Sequence, residues 1–134
     1  MAYFKWTKKM INGQSLELFN NGNHYRDFTY IDDVVRFLSK LIERKSKKFI
    51  PYQVFNIGNS NSVKITRVIS ILKKLINIKS VKIKNKNFQK GDALKTYAKT
   101  SKIEKFIKEK NSTNLEDGLK AFVTWYKIFY KIRK

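Results

Sequence analysis

Five glycines, one histidine and no cysteine limit the chemistry open to this 134-residue chain. A backbone that approaches a pyrophosphate needs a glycine-rich turn between a strand and a helix. Gly13, Gly22, Gly58, Gly91 and Gly118 are scattered, and none falls in a G-x-G-x-x-G or similar cluster. The sequence therefore predicts no dinucleotide site of that kind. A tyrosine four residues ahead of a lysine can supply a general base with a lowered pKa. Tyr130 and Lys134 have that spacing. About one such pair arises by chance in a lysine-rich chain with this many tyrosines, and this one sits where chains fray. His24 has no Ser, Cys or metal-ligand partner at a recognisable spacing and reads as a loop residue. Asp32 and Asp33 could form an acid or metal pair, but just ahead of an apolar-periodic run they suit a helix start. Read alone, Arg26-Asp27 is a surface ion pair in a loop. Without cysteine there is no disulfide, thiolate zinc site or thiol nucleophile.

Thirty Lys and Arg against ten Asp and Glu give a formal charge of +20, a balance that attracts polyanions. The lysines are spread along the chain, however. Asn, Ile, Phe and Tyr, which share A/T-rich codons with Lys, are abundant too. Composition bias explains the charge more simply than a nucleic-acid surface, so nucleic acid is not the expected partner. No apolar run approaches the ~20 residues of a transmembrane segment, and Met1 to Trp6 carry no signal-peptide pattern. A cytoplasmic protein is expected. With 42% hydrophobic residues, the chain can form one domain with one core.

The elements that must position these residues alternate between helix and strand. Residues 2–12 read as a helix ending at the turn pair Asn12-Gly13. Residues 15–19 alternate as a strand, 21–23 form a turn, and 26–31 are β-prone. Asp32 is the expected N-cap of a helix from Asp33 to about Arg44, with Val34, Leu38, Leu41 and Ile42 on one face. Its early carboxylates suit the positive end of the helix dipole. Pro51 pushes Ile50 towards an extended conformation. Residues 53–57 read as an apolar strand closed by Gly58. Ile65, Val68, Ile69, Leu72 and Ile76 mark a buried helical stripe. Residues 80–84 read as an edge strand guarded by lysines, and 100–109 as a short helix. Thr113 with Glu116 forms a capping box ahead of a last helix with Leu115, Leu119, Phe122, Tyr126 and Phe129 on its apolar face. The fold class is α/β, as a mixed α+β fragment with too few strands for a complete doubly wound sheet.

Three segments, in order and spacing, carry a family resemblance: Gly22-Asn23-His24-Tyr25-Arg26-Asp27-Phe28-Thr29-Tyr30-Ile31-Asp32-Asp33; Val54-Phe55-Asn56-Ile57-Gly58-Asn59-Ser60; and Gln89-Lys90-Gly91-Asp92 followed by Thr96. They resemble the C-terminal half of extended short-chain dehydrogenases of the NAD-dependent epimerase/dehydratase family, closest to UDP-glucuronate 4-epimerases. Met1 to Phe4 resembles the entry to their substrate domain, and Phe122-Val123-x-Trp125-Tyr126 their closing helix. The resemblance implies that residues 1–134 are a UDP-sugar-binding C-terminal domain of an extended Rossmann-type epimerase, incomplete relative to the family. The N-terminal dinucleotide-binding core and the catalytic Tyr-x-x-x-Lys would be lacking.

In that family a hydride passes from C4 of the sugar to NAD and returns to the other face. The resemblance implies no catalytic residue and no cofactor for this chain alone. Its partners would be a UDP-sugar of the UDP-glucuronate/UDP-galacturonate class and a separately encoded NAD-binding part, in a family that is often homodimeric. Carried over by position, Arg26 pairs with the pyrophosphate, as a guanidinium can. Glu17, Leu18 and Phe19 form the strand against the uracil, and Phe28 and Val63 are neighbouring pocket positions. Gln89 and Asp92 contact ribose and phosphates, with Thr96 nearby. Two departures stand out. Lys90 replaces the proline of Q-P-G-D, loosening the loop, and Ala98-Lys99-Thr100-Ser101 reverses the charge of A-D-x-S. Competing readings are a remnant without function and a basic module that binds nucleic acid or anionic membrane. Two structural expectations follow: Arg26 and Asp92 share a groove floored by residues 17–19, and apolar surface is uncovered around Met1, Phe4, Trp6 and 53–57.

Overall fold

The computed structural model of the chain describes residues 1–45, 52–110 and 113–132. Helix α1 (Ala2–Ile11) stops at Asn12, and Gly13 takes the left-handed conformation (φ +66°) that lets the chain reverse. Strand β1 (Leu16–Phe19) follows, with Leu16 and Leu18 turned inward and Glu17 and Phe19 outward. A tight turn at Asn20–Gly22 leads into β2 (Tyr25–Asp27). Gly22 is required there: its φ is +72°, and a Cβ would lie 2.6 Å from the Leu18 side chain. Helix α2 (Ile31–Ile42), β3 (Ser62–Lys64), α3 (Ile65–Ile76), β4 (Ile83–Lys86), α4 (Ser101–Ile107) and α5 (Leu115–Phe129) complete the order.

The strands form two separate pairs. β1 lies parallel to β4, with Leu16 opposite Ile83 and Phe19 opposite Lys86. β2 lies antiparallel to β3, with Arg26 opposite Val63. The main core gathers the inward face of β1, the α3 stripe and the inner faces of α1 and α5. All five α3 positions expected to be buried are buried, and Asn77 closes that helix in the left-handed region. A smaller core joins Phe37 of α2 to Ile103 and Ile107 of α4, with Phe55 and Ile57 packed against it. The molecule is a mixed α/β fold, as expected.

Several elements depart from the sequence reading. The β-prone run 26–31 is cut short, because β2 ends at Asp27 and Tyr30 is already the N-cap of α2. Asp32 is therefore not the cap but lies, with Asp33, in the first turn, where the dipole argument still applies. The buried positions of α2 are Asp33 and Phe37, whereas Leu38 and Ile42 are exposed. Residues 53–57 join no assigned strand; their side chains alternate, with Phe55 and Ile57 turned to the smaller core. The edge strand expected at 80–84 is displaced to 83–86. The cap of α5 is Asn114, whose side chain accepts from the Asp117 amide, in place of a Thr113–Glu116 box. Phe129 is exposed. Ile50 and Pro51, and Lys134 of the Tyr130 pair, lie outside the described residues.

Uncovered apolar surface is present, though not mainly where it was expected. Met1 and Val54 are exposed, while Phe4 and Trp6 are half-buried, Phe4 against the aromatic rings of α5 and Trp6 against the main core. The larger exposed stripes are Ile31, Val35, Leu38 and Ile42 on α2, and Trp125, Ile128 and Phe129 on α5. Among the described residues, no helix is long and apolar enough to cross a membrane.

Candidate functional site

Side chains alternate along an extended segment, so His24, Arg26 and Phe28 reach the same side of the chain. They open onto a cavity of ≈ 1010 Å³ between β1, β2 and the helices α1 and α5. Glu17, Leu18 and Phe19 of β1 line it as well, and Asp92 enters from the loop after β4. Six of the nine candidate positions, Glu17, Leu18, Phe19, Arg26, Phe28 and Asp92, thus meet in one concavity. The size and the mix of apolar walls with a few convergent charges suit an organic ligand.

The polar groups have defined partners. Arg26 Nη1 donates to the carbonyl of Tyr25 at 3.0 Å, and Nη2 donates to Asp92 Oδ1 at 2.6 Å. Arg26 thus pairs with Asp92, 66 residues away, and not with its neighbour Asp27. Glu17 lies 3.8 Å from Lys86 across the β1–β4 pair. His24, which the sequence reads as an ordinary loop residue, is only 5% exposed and lines the cavity. Its Nε2 lies 3.6 Å from Asp92 Oδ2 and has no hydrogen-bond partner among the described residues. The i, i+2 spacing to Arg26 was the signal that could have placed it there.

The other three candidates lie elsewhere. Val63 sits opposite Arg26 in β3 and belongs to the core. The Gln89 carbonyl accepts from the Asp92 amide at 3.1 Å, which closes the turn that presents Asp92. Thr96 braces β2: its amide donates to the Tyr25 carbonyl and its Oγ1 accepts from the Asp27 amide, both at 3.1 Å.

Asp27 is the hinge pin behind the site. Its carboxylate accepts from the amides of Ser60 and Ala98 at 3.0 Å, Asn59 at 3.2 Å and Asn61 at 3.4 Å. Two loops are thereby fastened to β2. Gly58 allows them to close, since a Cβ there would stand 2.2 Å from that of Ala98. Asp33 does similar work in the first turn of α2. It is 3% exposed, is bonded to Arg36, and accepts from the Thr113 amide at 3.3 Å. Burial by itself would raise its pKa, but the hydrogen bonds from Arg36 and Thr113 prevail and hold the carboxyl below its usual value. Arg36 and Lys40 also hold Glu109, tying α2 to the end of α4.

The described residues do not fit a dinucleotide pyrophosphate. Phe28 to Tyr30 connect β2 to α2 and β3 runs directly into α3, both without glycine, and the longer connection from β4 to α4 holds only Gly91, so none of the three carries the clustered glycines of such a turn. No group of three or more metal-ligating side chains occurs among the described residues.

Residues 1–58 match the model of the NAD dependent epimerase/dehydratase family. An uncharacterized protein of Methanocaldococcus jannaschii is 44% identical over 126 residues, 94% of this chain and 37% of that protein. UDP-glucuronate 4-epimerase 2 of Arabidopsis thaliana is 35% identical over 98% of this chain and 33% of its own length. The UDP-glucuronic acid 4-epimerase of Bacillus cereus, solved with UDP-glucuronic acid and NAD, superposes with a TM-score of 0.85 at 33% identity. That likeness covers 97% of this chain and 40% of the Bacillus chain. The chain therefore spans less than half the length of these relatives.

Proposed function

The chain is related to the nucleotide-sugar epimerases of the NAD dependent epimerase/dehydratase family, and from that premise we propose that it is the C-terminal, UDP-sugar-binding portion of an epimerase of the UDP-glucuronate 4-epimerase type. The observation that carries this reading is the cavity into which Glu17, Leu18, Phe19, Arg26, Phe28 and Asp92 converge from three separate stretches of sequence. Arg26 has the donor geometry for a diphosphate. Leu18 and Phe19 offer apolar and aromatic surface for a base, and Glu17 and Asp92 offer acceptors for hydroxyls. On this reading the NAD site and the proton-transfer groups belong to polypeptide beyond this chain, and epimerisation requires that part.

The test is calorimetric titration of the purified chain with UDP, UDP-glucuronate and NAD. UDP and the UDP-sugar are expected to bind, and NAD is not. Loss of a charge-assisted hydrogen bond costs ~1.5–3 kcal/mol, so Arg26→Ala is expected to weaken UDP binding by roughly ten- to a hundredfold. Equal binding by wild type and Arg26→Ala, or NAD binding by the chain alone, would overturn the reading.

A further inference from the structure

Asp92 stands between two donors and bonds only one of them. Its Oδ1 accepts from Arg26 at 2.6 Å, while its Oδ2 lies 3.6 Å from His24 Nε2, beyond hydrogen-bond reach. That Nε2 is buried and has no hydrogen-bond partner among the described residues. A buried polar atom in this condition calls for an explanation. We propose that His24 is a positioning residue of the nucleotide site: when an anionic phosphate oxygen takes Arg26, the Asp92 carboxylate moves onto His24 Nε2. This rests on the diphosphate reading of Arg26 given above.

The geometry supports a fixed histidine and a movable aspartate. The imidazole stacks on Phe88, with ring centroids 5.8 Å apart and planes 20° apart, and the His24 carbonyl accepts from the Ile65 amide at 2.9 Å. Its side chain is 6% exposed, against 40% for Asp92. Asp92 follows Lys90-Gly91 in a turn where Gly91 has φ +87° and nothing within 4 Å of a Cβ position. A displacement of under about 1 Å closes the gap to an ordinary hydrogen bond. The drive is electrostatic. A diphosphate and a carboxylate on one guanidinium repel each other, and a protein interior strengthens that repulsion. His24 gives the displaced carboxylate a donor, so it is not left without a partner. Of the other carboxylates on the wall, Glu17 lies beside Lys86 and Asp27 is held by the amides of Asn59, Ser60, Asn61 and Ala98. His24 thus acts through Asp92 and need not touch the ligand.

Because the chain contains one histidine, its imidazole nitrogens can be followed without ambiguity. The experiment records side-chain 15N resonances of the whole chain during titration with UDP, and separately with inorganic pyrophosphate. Affinities are measured alongside for Arg26→Ala, His24→Phe, which keeps the ring but has no donor, and His24→Gln, which restores one. Either anion is expected to move the Nε2 resonance to a hydrogen-bonded position, and Asp92→Ala is expected to abolish that change. His24→Phe is expected to weaken UDP binding about tenfold, while His24→Gln recovers most of it. Thermal unfolding of each variant confirms that it is folded. If UDP binds in an Arg26-dependent way but Nε2 does not respond, or the two His24 variants lose affinity equally, this proposal fails and the functional reading stands. If neither anion binds, or binding ignores Arg26, both fail.

Discussion

Replacing Asp27 with alanine tests whether the loops behind the site are held as the hydrogen bonds indicate. The carboxylate accepts four backbone amides, two at 3.0 Å, one at 3.2 Å and one at 3.4 Å. Hydrogen bonds to a charged group contribute ~1.5–3 kcal/mol each. Asp27 is only half-buried, so water can replace part of what is lost, and the two long bonds count for little. Taking the two short bonds at the lower figure gives a loss of about 3 kcal/mol. That is a large share of the ~5–15 kcal/mol typical of a domain. Asp27→Asn retains one acceptor oxygen without the charge and should lose about half as much.

The assay is urea unfolding followed by tryptophan fluorescence, comparing midpoints at constant slope. Hydrogen exchange at the Ser60 and Ala98 amides provides a local check. In Asp27→Ala both should exchange much faster, while amides in the middle of α3 should change only as far as global stability does. A loss below ~1 kcal/mol, or unchanged protection at Ser60 and Ala98, would refute the claim that this carboxylate fastens the loops.

Gly58→Ala should destabilise by ~1–3 kcal/mol, the usual cost of overpacking, because the new Cβ would meet that of Ala98 at 2.2 Å; Ala98→Gly in the same chain should recover part of the loss in denaturant unfolding. Arg36 and Thr113 hold the pKa of Asp33 below the ordinary value of 3.8. Its contribution to stability is therefore present above that value and lost as pH falls through the lower folded value. Between pH 5 and 2, wild type should lose stability more steeply than Asp33→Asn, and parallel curves would sink the assignment. Ile42, 87% exposed on α2, should accept lysine within about 0.5 kcal/mol and lower the binding of an apolar-surface dye; a large loss of stability would show that the position is covered.

The helices were legible where apolar residues had one period and a clear stop. α3 is the clearest case, with five stripe positions on a single face and Asn77 to end it. In α2 the apolar residues Ile31, Val34, Val35, Phe37, Leu38, Leu41 and Ile42 surround much of the helix. Periodicity then cannot select the inner face, and contact with α4 does so through Phe37. β3 has three residues and abuts a helix, too short for alternation to register, and exists because β2 pairs with it. The alternation of Val81, Lys82, Ile83 and Lys84 suits more than one placement, and pairing with β1 selects 83–86. Residues 53–57 alternate without being assigned to a strand, so their pattern reflects packing against the smaller core. At the site, segment order brought Arg26 and Asp92 together by resemblance, whereas the burial of His24 depends on Phe88 and on the Asp92 turn, which local sequence does not reveal.

The run from Arg26 to Asp33 reads like a chemical motif, yet most of it serves as bracing. Arg26 faces the cavity, while its neighbour Asp27 fastens residues 59–61 and 98. Tyr30 packs over Gly118, whose missing Cβ would come within 3.3 Å of the ring. Asp33 reaches the Thr113 amide ahead of α5. One short stretch thus ties together four distant parts of the chain, which is reason enough for its residue types apart from any ligand. The same logic bears on the charge. The chain has only ten acidic residues. Asp27, Asp33, Asp92, Glu104, Glu109 and Asp117 all accept internal hydrogen bonds or ion pairs. Most of the lysines lie on exposed surface. A surplus confined to replaceable surface positions, with carboxylates kept at the joints, is the pattern expected when composition drifts around a fold that still has to close. Acid acts on one of these joints through Asp33, whose carboxyl Arg36 and Thr113 hold below its ordinary value, so that its contribution is lost as pH falls through that lowered value.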